Sequence, residues 1–254
     1  MVAVPRDSAT LILLRNTAEA NGGIEILMLR RHSRSSFLPG SYVFPGGVVE
    51  TADYVHDIEE FCSGLTFAEA QVIVDDASPP EKALGFFVAA IRETFEEAGL
   101  LLAYDGVDRM LIHEGGDPAR LAKYRRDIRD DPASLAAVLR REGLKLATDR
   151  LYYFSHWITP AMVPTRFDTR FFLAVAPDNQ EVSHDRLETT DSRWISPREV
   201  LDLRLAGKLT VPYPTYRNVK DLVGISTVEE AIAFTTGREV PGIQPLLNML
   251  QLGG

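Results

Sequence analysis

Short apolar runs alternate with amphipathic stretches along most of the chain. Thr10–Leu14 and Ile24–Leu29 are continuous apolar runs separated by Asn21-Gly22-Gly23, a spacing that predicts two strands joined by a turn. Tyr42-Val43-Phe44 is a further β-like run, set between Leu38-Pro39-Gly40 and Pro45-Gly46-Gly47. From Glu81 to Ala98 the pattern changes period. Leu84, Phe87, Val88, Ile91, Phe95 and Ala98 recur at steps of three and four, the apolar stripe of a helix packed on a core. Ser78 as cap, the following prolines and Glu81 as capping-box partner predict its start, and Gly99 its left-handed stop.

Thr66–Asp75 reads as a short helix within a segment, 54–80, that looks inserted. Arg120–Arg141 is helical in period and laced with both charge signs, which reads as a solvated, salt-bridged surface. Leu151–Ile158, Arg170–Val175 and the surroundings of Arg193-Trp194-Ile195 predict three more strands. Helices follow from Ser196 onward, near Tyr216–Val223 and near Thr227–Phe234. Strands interleaved with helices in this way predict a mixed-sheet α/β sandwich.

Composition narrows the function more than the fold. The chain has 254 residues with 36 acidic and 27 basic side chains, a net charge of −9, which argues against broad nucleic-acid binding. The length suits one elaborated domain, 1–254, whose residues 197–254 form a helical extension. That extension carries six basic and six acidic residues, so no basic recognition helix stands out. A single cysteine, Cys62, excludes an internal disulfide framework, and the five histidines show no zinc-ligand spacing. Pro5, Arg6 and Asp7 interrupt the N-terminal region, and no apolar run reaches membrane-span length. The expectation is a cytoplasmic protein with no membrane partner.

The chemistry concentrates in Arg92-Glu93-Thr94-Phe95-Glu96-Glu97-Ala98-Gly99. On a helix, Glu93, Glu96 and Glu97 fall at i, i+3 and i+4, so three carboxylates share one stripe and repel one another. A hard divalent cation offsets that repulsion, because it takes oxygen ligands and keeps positions for substrate phosphates. Arg92 reaches Glu96 at i+4. Taken alone, the same residues also describe a solvated acidic face with one surface ion pair. The glycine loop Phe44-Pro45-Gly46-Gly47 and the carboxylate of Asp53 upstream favour the cation, since glycines let backbone groups approach a metal or phosphate.

At this point the chain resembles the Nudix hydrolases, whose box runs Gly-x5-Glu-x7-Arg-Glu-U-x-Glu-Glu-x-Gly-U, with U a bulky aliphatic. Gly47 fits the first glycine, and Arg92, Glu93, Glu96, Glu97, Gly99 and Leu100 fit the second half. Asp53 stands where the family has Glu, Thr94 stands at an aliphatic position, and 31 residues are inserted between Asp53 and Arg92. The interruption, the run Phe37-Leu38-Pro39-Gly40-Ser41-Tyr42-Val43-Phe44-Pro45-Gly46-Gly47 and the run Arg166-Phe167-Asp168-Thr169-Arg170-Phe171-Phe172 are similar to a branch of peroxisomal-type coenzyme A diphosphatases. Arg31, Gly40 and Phe44–Gly47 match a coenzyme A signature of the family, whereas His32 and Ser36 depart from it.

The resemblance implies an α/β/α Nudix sandwich and Mg²⁺- or Mn²⁺-dependent attack of water on the diphosphate of a nucleoside diphosphate linked to X. Coenzyme A or acyl-coenzyme A is the leading substrate. The same-class alternatives are ADP-ribose, NADH and dinucleoside polyphosphates, and a non-catalytic nucleotide sensor is the alternative from another class. The implied metal ligands are Glu93, Glu96, Glu97 and the Gly47 carbonyl, with Arg92 in support. Glu93, Glu97, Glu188 or Asp191 is the implied base. Arg31, Arg34, Gly46, Gly47 and Arg166 are the implied substrate contacts. Trp157 and the Tyr213/Tyr216 pair either stack on a base or pack in the core. A homodimer is implied by analogy of fold.

Overall fold

The structure, a computed structural model, describes residues 3–18, 22–35, 38–105, 110, 118–178, 180–183 and 189–246. In chain order, β1 (Arg6–Asn16), β2 (Ile24–Arg31), β3 (Tyr42–Val43) and β4 (Gly46–Val48) lead into two 3-10 turns at Thr51–Tyr54 and Ile58–Phe61. Then come α1 (Phe67–Ile73), α2 (Pro80–Ala98), β5 (Ala103–Tyr104), α3 (Pro118–Asp130), α4 (Ser134–Glu142) and β6 (Lys145–Leu146). β7 (Tyr152–Ile158), β8 (Phe167–Val175) and β9 (Thr189–Ile195) precede α5 (Pro197–Leu205), α6 (Tyr213–Asp221), α7 (Val228–Ala233) and β10 (Gly242–Ile243).

The sheet is mixed and is organised about β1. β8 runs parallel along one edge of β1, with Arg6 opposite Phe167 through Leu14 opposite Val175. The other edge is shared. Leu14–Asn16 pair with β2, while Ser8–Thr10 pair antiparallel with β4. β2 therefore leaves β1 and pairs instead with β3 and β9, opening the sheet where Gly46 and Gly47 sit. β7 and β10 extend the sheet beyond β8.

β1 is covered on both faces, and this is why it reads as an unbroken apolar run rather than an alternating one. Leu11 and Leu13 enter a core shared with α2, α3 and α4. Ile12 and Leu14 enter a second core against α5, α6 and α7. The result is an α/β sandwich with helices on both faces of a mixed sheet.

α2 matches the predicted stripe and ends at Gly99, whose φ of 75° lies in the left-handed region. Its start differs from expectation. Pro79 is the N-cap, no side chain caps it, and the Ser78–Glu81 box does not form. The box instead appears one helix earlier, where Thr66 and Glu69 satisfy each other's backbone amides. The single helix expected over 120–141 is two, because Pro132 lies between α3 and α4 and has no amide hydrogen to continue the ladder. The 54–80 segment is built into the first core through Ile58, Phe61, Ala70, Val74 and Ala77.

Candidate active site

α2 brings the predicted carboxylates to the edge of the opening in the sheet. Arg92 organises them. It is only 2 % exposed, and its guanidinium makes five hydrogen bonds. Nε and Nη2 donate to the two oxygens of Asp53 at 2.7 and 3.0 Å, a bidentate fork. Nη1 donates to Glu93 at 3.0 Å and to Glu96 at 2.7 Å, and Nη2 also reaches the Val48 carbonyl at 2.9 Å.

Asp53 is thus placed behind Arg92. It arrives from the 3-10 turn at Thr51–Tyr54, and its Oδ2 also accepts the Glu50 amide at 2.8 Å. Burial holds its carboxyl above the ordinary value, against the opposing pull of the hydrogen bonds and charge of Arg92. Both oxygens act as acceptors, two of the bonds coming from a permanent cation, so Asp53 is the carboxylate. Burial likewise opposes the charge of Arg92, but Asp53, Glu93 and Glu96 outweigh it and hold the guanidinium above its ordinary value. Glu93 is pushed up to about 7, first by burial and then by Glu96, against the pull of Arg92.

The glycine loop closes on the same helix. The Gly46 amide donates to Glu97 Oε2 at 3.1 Å. A Cβ on Gly46 would lie 2.5 Å from the Ala9 carbonyl oxygen, and one on Gly47 would lie 2.5 Å from the Glu93 carboxyl carbon. At Gly46 only glycine lets β4 pass this close to the β1 backbone, and at Gly47 the missing side chain leaves the Glu93 carboxylate undisplaced.

Among the described residues, no three Asp, Glu, His or Cys side chains already converge at metal-ligand spacing. Glu93 and Glu96 lean on Arg92, and Glu97 leans on Gly46. The donor chemistry nevertheless fits a hard cation, because the set is all oxygen and carries three carboxylates against one shared guanidinium. Gly47 approaches the Glu93 carboxylate closely enough to leave no room for a side chain between them.

The other expected residues have partners of their own or fall outside the described residues. Arg31 ends β2 and donates to Ser35 Oγ at 3.1 and 3.3 Å. Arg34 is exposed, its amide bonded to His32. Arg166 is committed to the carbonyls of Thr159 and Ala3 at the β7–β8 hairpin, at 2.9 and 2.6 Å. Asp191 shares its strand face with Ile195, which belongs to the second core, so it lies across the sheet from α2. Tyr42 donates to it at 2.6 Å and Arg193 at 3.0 Å. Those bonds, Tyr42's first, lower its carboxyl. Glu188 and Ser36 lie outside the described residues. Trp157 is buried in the second core, edge-on to Tyr213, which places it in packing rather than base stacking.

The family model of the NUDT19 Nudix domain matches residues 5–222. The chain belongs to the Nudix family. Nudix hydrolases generally use divalent metals, in keeping with the oxygen-rich cluster on α2. The acyl-coenzyme A diphosphatase NUDT19 of Xenopus laevis is 28% identical over 250 residues, which cover 87% of this chain and 65% of that protein. Its Gallus gallus counterpart is 30% identical over 255 residues, covering 87% and 66%. The chain thus spans just under two thirds of these relatives' length. Among solved structures, a NUDIX hydrolase from Alicyclobacillus acidocaldarius superposes with a TM-score of 0.74 at 27% identity, covering 92% of this chain and 97% of that one.

Sequence reasoning missed Arg125. Its Nη2 donates to the Glu96 carbonyl at 2.7 Å and its Nη1 to Ser183 at 2.8 Å. Nothing local distinguishes it from the other charges of α3, because the contact joins segments far apart in sequence.

Proposed function

We propose that the chain is a Mg²⁺- or Mn²⁺-dependent hydrolase that cleaves the diphosphate linkage of coenzyme A or acyl-coenzyme A. The products are adenosine 3′,5′-bisphosphate and a 4′-phosphopantetheine derivative. The observation that carries this reading is the Glu93/Glu96/Glu97 cluster on α2, with Glu93 and Glu96 held by Arg92, Glu97 by the Gly46 amide, and Gly47 close against Glu93. The acyl-coenzyme A diphosphatase relatives, matched over most of this chain, support the substrate class.

Glu93, Glu96 and Glu97, with the Gly47 carbonyl, would hold the cation. What the cation supplies when bound is neutralisation of the diphosphate charge and a more acidic water. Arg92 fixes Glu93 and Glu96 without competing for substrate, since its donors all point inward to Asp53, Val48 and the glutamates. Glu93 serves either as the third ligand or as the base that accepts a proton from water, and in the metal-free fold its carboxyl is raised to about 7. Serine at position 36, where the coenzyme A signature has arginine, favours a second reading, a hydrolase of ADP-ribose or a related nucleotide.

The test compares coenzyme A turnover and Mn²⁺ binding by calorimetry in the wild type and in Glu97→Gln. The variant is expected to keep its fold and lose most of both. Full activity and unchanged Mn²⁺ affinity would remove Glu97 from the metal site and sink the reading.

A further inference from the structure

Helix ends leave their last carbonyls without intrahelical donors. At the end of α2 these carbonyls belong to the turn that carries Glu96 and Glu97. The Gly99 amide satisfies Phe95 at 3.0 Å, and the Ser183 amide satisfies Ala98 at 2.9 Å. The Glu96 carbonyl takes its hydrogen bond from Arg125, a side chain of α3. The same guanidinium donates to the Ser183 hydroxyl. Just beyond, the Gln180 amide group exchanges two hydrogen bonds with the Leu101 backbone, at 2.8 and 3.0 Å. Three separate segments meet at this point, and Arg125 ties them together.

The junction is tight. A Cβ on residue 99 would come within 2.6 Å of the Ser183 hydroxyl and 3.1 Å of Arg125 Nη1. Gly99 is therefore required twice, once for its left-handed backbone and once for the crossing of Arg125 over it. Glu96 is held by arginines at both ends, by Arg92 at its carboxylate and by Arg125 at its carbonyl. A cation at a helix C-terminus is favoured by the helix dipole, and a planar fork can bridge two acceptors where an ammonium serves one less rigidly.

We propose that Arg125 is a positioning residue for the divalent-cation site. By joining the Glu96 carbonyl to Ser183, it fixes the backbone from which Glu96 and Glu97 project and fastens the 180–183 segment to the end of α2. The inference rests on the metal-site reading above.

The test is Mn²⁺ titration calorimetry, without substrate, on the full chain as wild type, Arg125→Met, Arg125→Lys and Glu97→Gln, each with its urea midpoint. Loss of such a supporting contact should weaken Mn²⁺ about tenfold in Arg125→Met, the low end for residues that orient metal ligands. Arg125→Lys should bind between the two, because an ammonium restores one of the two bonds. Wild-type Mn²⁺ affinity in both Arg125 variants overturns the proposal. If Arg125→Met does not fold, Arg125→Lys decides alone, a weakened affinity supporting the proposal and a wild-type one overturning it. Weakened binding in Glu97→Gln beside unchanged Arg125 variants rejects the positioning role alone. Absence of any Mn²⁺ binding by the wild type rejects the metal site and the positioning role with it.

Discussion

Replacing Arg92 with Met keeps much of the buried stem and removes the guanidinium. Five hydrogen bonds are lost at once. The largest consequence falls on Asp53, which is 1 % exposed and is left with the Glu50 amide as its remaining hydrogen-bond donor in this network. Breaking a buried ion pair from one side costs about 3–5 kcal/mol, because the surviving charge is stranded in a poorly solvated site. For a chain of this size each kcal/mol lowers Tm by roughly 2–4 °C, so the loss should be about 6–20 °C. Urea and thermal unfolding in the presence of a chelator measure it without contribution from bound metal.

The pH dependence has a definite sign. Burial already holds the folded pKa of Asp53 above its ordinary value, and losing the lowering contacts of Arg92 raises it further, with only the Glu50 amide left to oppose it. Stability is then greatest at low pH and is lost as pH rises through the raised value. Asp53→Asn should rescue part of the Arg92→Met defect at neutral pH, with a coupling of at least about 1 kcal/mol. A penalty under about 1 kcal/mol, flat with pH and uncoupled from Asp53, would match an exposed surface bridge and refute the buried-pair argument.

Glu93 sets a second pH effect. Its folded pKa of about 7 exceeds the ordinary 4.5, so the metal-free fold is stabilised below that window and loses about 3 kcal/mol as pH rises through it. Glu93→Gln should flatten the profile in chelator-treated melts, and an unchanged slope would assign it to other groups. Gly47→Ala puts a methyl against the Glu93 carboxylate, whose flexible end can move aside. Stability should change by less than about 1 kcal/mol while Mn²⁺ affinity falls about tenfold or more, and wild-type affinity would remove Gly47 from the site.

Helix α2 was legible because its signals are local. The stripe from Leu84 to Ala98, the three glutamates at i, i+3 and i+4, and Gly99 all lie within one segment and follow helical geometry. Asp53 was harder to place, since 39 residues separate it from the arginine that holds it. Its residue type marked it as a carboxylate, but only the fold places it behind Arg92. Arg125 was illegible because its hydrogen bonds go to a backbone carbonyl and a loop hydroxyl, and its own segment looks like an ordinary charged surface. β10 escaped for a related reason. Its Gly242-Ile243 pair has no period of its own and is a strand only by lying beside β7. Ser78 misled because its prolines moved the helix start to Pro79, which has no side chain able to cap.

The central claim is a cation-dependent cleavage of a coenzyme A diphosphate at the α2 glutamates. It is tested most directly by product identification. The purified chain would be incubated with Mg²⁺ or Mn²⁺ and coenzyme A, an acyl-coenzyme A, ADP-ribose, NADH and a dinucleoside polyphosphate, with products read by mass spectrometry. The account predicts adenosine 3′,5′-bisphosphate and the matching 4′-phosphopantetheine derivative, highest kcat/KM for the coenzyme A compounds, and no product when the cation is chelated. No product from any coenzyme A compound, or turnover that survives chelation, would contradict it.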